Sequence, residues 1–530
     1  MPLLPLLMNL RQRCQAVFQA GYKVGEQSFR SLAAATKLSK SSVHRLYHRL
    51  QRRNQYPESQ LWETEAGQQW LRLLVFAAVF VFALEGGIGC ERLSEFFHLL
   101  RLQRHIGISP SALRQLRTRM EEKLLEYQLH VQSQLKQDGR EVELCAAADE
   151  KFFDQVVLVM LDLPSGYILV EELTENRQYQ TWQLSAQQVL QEFGFKVKYF
   201  VSDRAKALVK LALNDLGCPS IADLFHALFE LSKSLGWELN CLASRIEKQL
   251  QLARSNHQSA ELIKQLETEQ SLLQSSNRTY QDCFHRISTS LHPFALTDSS
   301  PQSSLQVKTL LLREVHQLKA LKQAHRLKDQ RDSINKFARQ VQELAAVVDI
   351  WWSWIDGCLE SYQIESPDSD WIKKQLLPAV YWQQQVRRTK TETLKRTYQL
   401  AYQQAWDALI HHPATATVSH TNLQKWLNWA SWMVSKFQRS SSPVEGRNGY
   451  LSQVYHNRRG LSSRRLKVMT LIHNFHLKRC DGTTAAERLF GKTFPDLFQW
   501  IVSQMGELPT PRKPRKTVLE TTVGLPTVPS

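Results

Sequence analysis

No two of the eight cysteines, at positions 14, 90, 145, 218, 241, 283, 358 and 480, are spaced as Cys-x-x-Cys. That argues against both a zinc ribbon and a disulfide framework, and a reducing compartment such as the cytoplasm is the expected setting. Long apolar stretches are also missing. The longest uncharged one, Leu73 to Leu84, has 12 residues, short of the ~20 that a membrane-spanning helix needs, so a buried helix is expected there. Met1-Pro2-Leu3-Leu4 has no basic segment ahead of its short apolar patch, and no lipidation motif is found, so neither a secretory leader nor a membrane anchor is expected. Acid is in deficit: 50 Asp and Glu stand against 67 Lys and Arg, for a net charge of +17. Such a surplus favours a polyanionic partner through counterion release, nucleic acid before membrane.

What is present is a chain of 530 residues, 43% of them hydrophobic, enough for several cores and three or four domains. Residues 1–57 form the first. Phe29, Leu32, Ala33, Leu38, Ser39, Val43 and Leu46 are spaced as a short helix, a tight turn and a second helix, with Ser39 as the cap of the second. This is the helix-turn-helix pattern of DNA-binding domains. Its outer face would carry Ser41, Ser42, His44, Arg45, His48 and Arg49. Lys37 occupies the turn position that requires a left-handed backbone, where glycine is the easier choice. A plain helical hairpin with a solvated basic face fits the same spacing.

Residues 58–140 read as helical, broken at Gly86-Gly87 and restarted at Ser109-Pro110, where Ser caps and Pro takes the first turn. Arg101, Arg104, Arg114, Arg117 and Arg119 suit either a second DNA-contacting unit or a charged solvent face. Near Glu141 the period changes from helix to strand. Val142–Ala148, Val156–Leu161 and Tyr167–Leu173 read as three strands, the last two joined by the turn Pro164-Ser165-Gly166. A helix from Thr181 to Phe193 closed by Gly194, a strand from Lys196 to Val201, a helix from Ala205 to Leu216 and a short strand from Ile221 to Phe225 follow. A meander of three strands followed by helix, strand, helix, strand is the order of a ribonuclease H-like mixed sheet. In that order the first and fourth strands are neighbours.

Residues 237–435 interrupt this α/β domain with a large helical insertion, and residues 436–506 resume it. Leu242, Ile246, Leu250, Leu262, Leu266 and Leu273 mark one arm of a long hairpin, and Leu311, Val315, Leu318 and Leu321 the other, about the Ser/Thr/Pro-rich loop 288–304. Nine of the 14 tryptophans fall between Trp351 and Trp432; their helical spacing favours core packing over base stacking. Residues 507–530 form a basic tail that includes Pro511-Arg512-Lys513-Pro514-Arg515-Lys516, expected to be disordered.

Three carboxylates stand at the ends or edges of these elements: Asp149 after the first strand, Asp203 after the fourth, and Glu445 at the opening of a helix 242 positions later (445 − 203). Oxygen-only ligands suit Mg²⁺, with Mn²⁺ as a substitute. Two such ions ~4 Å apart can activate an attacking oxygen and stabilise the one that leaves phosphorus. Each acid also has a plainer use. Asp149 suits a solvent-facing acid, Asp203 suits a helix cap, and Ser442-Pro443-Val444-Glu445 matches a capping box. The surroundings of Glu445 weigh toward chemistry, because Gly446 and Gly449 in the first turns cost about 1 kcal/mol each relative to alanine and close approach of DNA or metal is a reason to accept that. Arg458, Arg459, Arg464, Arg465 and Lys467 follow as phosphate partners.

The blocks Ala148-Asp149-Glu150, Val201-Ser202-Asp203-Arg204, Asp223-Leu224-Phe225-His226 and Glu445-Gly446-Arg447-Asn448-Gly449, with Arg458-Arg459-Gly460 downstream, resemble those of DDE transposases from bacterial insertion sequences. The resemblance spans Glu141 to about Met505, and the helix-turn-helix extends it toward the N-terminus. It implies a ribonuclease H-like fold, two Mg²⁺ ions held by Asp149, Asp203 and Glu445, cleavage of double-stranded DNA at element ends and strand transfer into target DNA by a homo-oligomer. It also implies that His226 lies near the scissile phosphate, a residue that a buried structural histidine fits equally well. Arg447, Asn448, Arg458 and Arg459 would contact DNA, with Asn448 alternatively holding metal-bound water. Two rivals are a non-catalytic regulator that keeps the helix-turn-helix and a metal-dependent, structure-selective nuclease.

Overall fold

In a computed structural model of the chain, residues 10–21, 27–139, 141–458 and 460–511 are described. The structure divides into two compact units, one formed by Met1–Ser133 with Phe494–Ser530 and the other by Gln134–Thr493. This redraws one expected boundary, since residues 494–506 join the N-terminal unit rather than the sheet.

The first unit begins with three helices, α1 (Leu10–Gln19), α2 (Phe29–Thr36) and α3 (Lys40–Arg53). Cys14, Val17, Leu32, Val43, Leu46 and Leu50 close a small core of their own. Between α2 and α3 the backbone turns at Lys37 with φ 55° and ψ 24°, so the left-handed position is filled without glycine. Ser39 then caps α3, its hydroxyl accepting from the Ser42 amide at 3.2 Å. The apolar run 73–84 lies in a longer helix than its composition suggested. Glu65–Ala78 continues as π-helix to Glu85, and these 21 residues are long and apolar enough to cross a membrane by length and composition, with half of the apolar window buried. The C-terminal helix Leu497–Gln504 packs on it: Arg72 donates to the Val502 carbonyl at 2.8 Å, and the Phe80 and Phe498 rings meet edge to face. Ser109 caps the helix Pro110–Asp138 as expected. Arg101 and Arg114 form exposed pairs with Glu58 and Glu91, and Arg117 pairs with the buried Glu121.

The second unit holds one five-stranded mixed sheet in a predominantly helical setting. Its strands are β1 (Val142–Phe152), β2 (Val156–Asp162), β3 (Ile168–Thr174), β4 (Phe195–Ser202) and β5 (Ser220–Ala222), in the spatial order β3-β2-β1-β4-β5. The meander is antiparallel, whereas β1–β4 and β4–β5 are parallel. Central β1 is buried continuously from Leu144 to Ala148, as a strand covered on both faces must be. The β2–β3 turn is held by the buried Asp162 carboxylate, which accepts from the Cys145 amide and from both the amide and the hydroxyl of Ser165. Gly166 completes that turn at φ 75°.

The insertion differs from the expected hairpin in one respect. Its first arm is two helices, Trp237–Ser255 and Ala260–Ser290, because the chain reverses at Asn256–Ser259, with His257 left-handed and Ser259 capping the second. Trp351, Trp354, Trp371 and Trp382 are buried in a core continuous with the sheet, which settles the tryptophan cluster as mainly packing. At its centre His292, fully buried, lies between the hydroxyls of Tyr381 and Tyr398, so its polar atoms are satisfied where water cannot reach.

Candidate active site

Parallel pairing of β1 with β4 brings two acids together. The last registered pair is Ala147–Val201; Asp149, within β1, and Asp203, one residue past the end of β4, each lie two residues further on, near enough for the charge of Asp203 to act on Asp149. Asp149 is within β1, paired to Val159 of β2, rather than beyond its end as the apolar run alone suggested. Asp203 follows β4, is exposed, and accepts from the Ala205 amide at 2.8 Å. The next residue, Arg204, is held at φ 73°, a conformation that costs a non-glycine residue of order 1 kcal/mol. Its guanidinium is tied down by Ser220 at 3.1 Å and Glu343 at 2.7 Å.

One strand over, β5 ends at Ala222, short of the expected Phe225, because Asp223 caps the helix Leu224–Leu231 by accepting from the Phe225 amide. That cap sets His226 in the first turn. The Glu445 helix, Ser442–Arg458, is anchored to the same place by the segment before it. The Tyr199 hydroxyl donates to the Lys436 carbonyl at 2.6 Å, the Arg439 carbonyl accepts from the Leu224 amide at 3.1 Å, and the Ser441 hydroxyl donates to buried Asp223. These bonds close the long sequence gap before Glu445. Asp223 and Ser441 were missed as site-builders; Asp223, directly before an apolar helical run, could have been read as a cap.

Glu445 points at His226, with Oε1 and Nε2 3.0 Å apart, and His226 also lies 3.7 Å from Asp223. The first contact is an ion pair rather than an aligned hydrogen bond. One turn further on, Asn448 is buried and donates from Nδ2 to Asp149 Oδ2 at 2.8 Å. Ligand atoms of Asp149, His226 and Glu445 all lie within 4.8 Å of one another. Asp203 is outside that group of three, although its charge acts on both Asp149 and Glu150.

Burial, with the Glu445 carboxylate beside it, pushes Asp149 up to about 7. Contact with Glu445 raises His226 to about 9 against the opposing effect of burial, and His226 in turn lowers Glu445. Two acids therefore face one imidazole, and burial with carboxylate repulsion holds Asp149 above the usual carboxylate range. A hard divalent ion would offset that repulsion. The carboxylate oxygens of Asp149 and Glu445 suit one, and on the residue bonded to Asp149, Asn448 Oδ1 is buried with no hydrogen-bond partner.

The expected DNA contacts divide. Ser41, His44 and Arg45 are exposed on α3, and Ser42 and Arg49 are half-buried beside them. Arg447 is corrected: it is buried and makes a two-pronged ion pair with Glu171 of β3, at 2.6 and 2.7 Å, to which the Thr470 hydroxyl also donates. A guanidinium so buried and ion-paired is turned away from the surface where a phosphate would lie. Asn448 likewise faces Asp149 rather than the surface. Arg459, the side chain of Arg458 and residues 512–516 of the basic tail lie outside what the structure describes. Gly446 and Gly449 are exposed, and a Cβ on either would meet nothing within 4 Å, so packing within the chain does not require them.

Residues 372–517 match a family of unknown function, DUF6399. The matched stretch includes Glu445 and Asn448 but neither Asp149 nor Asp203. No curated protein and no solved structure matches the chain.

Proposed function

We propose that the protein is a DDE transposase with a ribonuclease H-like catalytic domain, which cleaves DNA at the ends of a mobile element and joins the freed 3′ ends to target DNA. The observation that carries this reading is the meeting of Asp149 on β1 with Glu445, delivered by a helix from the far side of a helical insertion, with Asp203 following the neighbouring parallel strand β4. The strand order β3-β2-β1-β4-β5, with an antiparallel meander and parallel β1–β4 and β4–β5 pairs, supports the fold assignment. Asp149, Asp203 and Glu445 would hold two Mg²⁺ or Mn²⁺ ions, which supply Lewis-acid activation of the attacking oxygen and charge stabilisation of the leaving one.

The chain's own residues do the rest. Asn448 orients the Asp149 carboxylate through its Nδ2. His226 neutralises Glu445 and presents a positive ring where a phosphate would enter. Gly446 and Gly449 keep the outer face of the Glu445 helix flat, so that a DNA backbone can lie against it. The α3 face of Ser41, Ser42, His44, Arg45 and Arg49 would read the element ends, and the surplus of basic side chains would hold two duplexes in a homo-oligomeric assembly.

The test is an end-cleavage and strand-transfer assay in Mg²⁺ or Mn²⁺ on the DNA that flanks the coding sequence, with Asp203→Asn as control. Nicks at discrete positions that need the metal and vanish in the variant, while DNA binding persists, are the expected result. Equal activity of the variant and parent would remove the assignment. Tight, sequence-selective binding without cutting in either would point instead to a regulator.

A further inference from the structure

The helix that carries His226 also carries an outward row of aromatic rings. Phe225 and Phe229 are 43% and 42% exposed, and Trp237 is 63% exposed. The two phenylalanine rings are stacked, with centroids 5.9 Å apart and planes 12° from parallel. The Lys233 ammonium sits 4.1 Å from the centre of the Phe229 ring. Residues 225, 229, 233 and 237 thus follow one another at steps of four along a continuous helical run, from Leu224–Leu231 through the π-helical Ser232–Gly236 into Trp237–Ser255. Each such step advances ~6 Å along the axis. A π-helical turn within an α-helical run recurs at functional sites.

Folding gains nothing from leaving two phenylalanines and a tryptophan in water, and a contiguous aromatic row rimmed by charge marks a contact surface. Two further observations say what covers it. The row starts at the carboxylate cluster, because the Phe225 ring lies edge-on to His226 with centroids 5.7 Å apart, and His226 contacts Glu445. It also has a cation within it rather than an acid, on a chain with a net charge of +17. Rings that can stack on any base, interleaved with a cation for the backbone, are the elements of a single-strand-binding surface.

We propose that Phe225, Phe229 and Trp237, with Lys233, form a stacking platform for unpaired bases of the DNA strand whose phosphate enters the Asp149–Glu445 cluster. This rests on the reading of that cluster as a DNA-strand-processing site, and it adds that the DNA is engaged with its terminal bases unpaired. The unpaired bases lie on the rings, and the duplex continues beyond them.

Binding is measured separately from chemistry. Fluorescence anisotropy of the full chain in EDTA compares a blunt, labelled 40-base-pair duplex with the same duplex bearing a six-nucleotide single-stranded 3′ extension. The extended DNA is expected to bind about tenfold more tightly or better. Phe225→Ala/Phe229→Ala reduces that advantage to less than about twofold with affinity for the blunt duplex unchanged, and Phe225→Trp/Phe229→Trp retains it. Unchanged thermal unfolding of these surface variants shows that they are folded. Equal affinity of the parent for both DNAs overturns the platform, as does an advantage that survives the double alanine change; a protein partner's footprint would give the first result. Metal-dependent nicking of the same duplexes, scored in parallel, tests the active-site reading on its own, so either idea can fail while the other stands.

Discussion

The helix-turn-helix closes its core with residues from Cys14 to Leu50, no more than 36 positions apart (50 − 14), whereas Asp149, His226 and Glu445 meet across 296 positions (445 − 149). The first needs only local periodicity, a capping serine and one left-handed residue. The second needs strand pairing, a capped helix and a buried linker to be right together. A second contrast lies within the sheet. Glu171 and Asp149 are carboxylates on β3 and β1, both approached by the Glu445 helix. Glu171 receives the Arg447 guanidinium and the Thr470 hydroxyl, so its charge is compensated inside the chain. Asp149 receives the neutral Asn448 amide, faces a second acid, and has His226 as the cation near both. One helix therefore serves two carboxylates: it closes the fold at Glu171 with a full counter-charge and meets Asp149 with an amide and a second acid.

Breaking the site should have the largest effect. Glu445→Gln removes a carboxylate proposed to hold metal and is expected to lower strand cleavage about a thousandfold, several kcal/mol of transition-state stabilisation, in the flanking-DNA assay; a variant within tenfold of the parent would sink the role of Glu445. The same helix tested on its other face should behave differently. Arg447→Met leaves Glu171 buried without a counter-charge and is expected to destabilise the second unit by about 3–5 kcal/mol, read as a shift of the urea midpoint. If stability is unchanged and only DNA binding falls, Arg447 is a phosphate contact after all.

The N-terminal unit should separate recognition from stability. Arg45→Ala with Arg49→Ala removes two cations from the face of α3 and is expected to weaken binding to element ends by about 1–3 kcal/mol per base-contacting side chain, with little change in unfolding. An equal loss on random DNA would demote the helix to a phosphate anchor. The smallest effect is the sharpest about purpose. Gly446→Ala puts a methyl group into open space on a helix, so it is expected to stabilise the fold by about 0.5–1 kcal/mol while lowering strand cleavage. A variant both more stable and fully active would leave the glycine without a functional reason.

Much of this was legible in the residues. The five strands, the order of elements through β5, Gly194 as a helix stop, Ser39 and Ser109 as caps and Lys37 as the left-handed turn all follow from period and turn chemistry, which act over a few residues. The three acids were visible as candidates because each sits where an apolar run stops or a helix begins. What could not be read was which neighbour each side chain would meet. Nothing near Arg447 in sequence distinguishes a phosphate contact from a partner for Glu171, 276 positions away (447 − 171). Nor does anything local show that Asn448 would turn inward to Asp149, or that the apolar run 73–84 would extend to a helix of 21 residues.

The amino-acid sequence by itself determined the basic charge, the helix-turn-helix, the strand–helix order and the chemical type of the candidate ligands, because composition and short-range periodicity are properties of neighbouring residues. Only the tertiary structure decided that Asp149 and Glu445 meet, that His226 is the partner of Glu445, that Arg447 is buried against Glu171 and that Phe225 and Phe229 remain in solvent. Those depend on strand register and on which helix face packs, and both are set by the burial of a core drawn from the whole of the second unit rather than by any single stretch of chain.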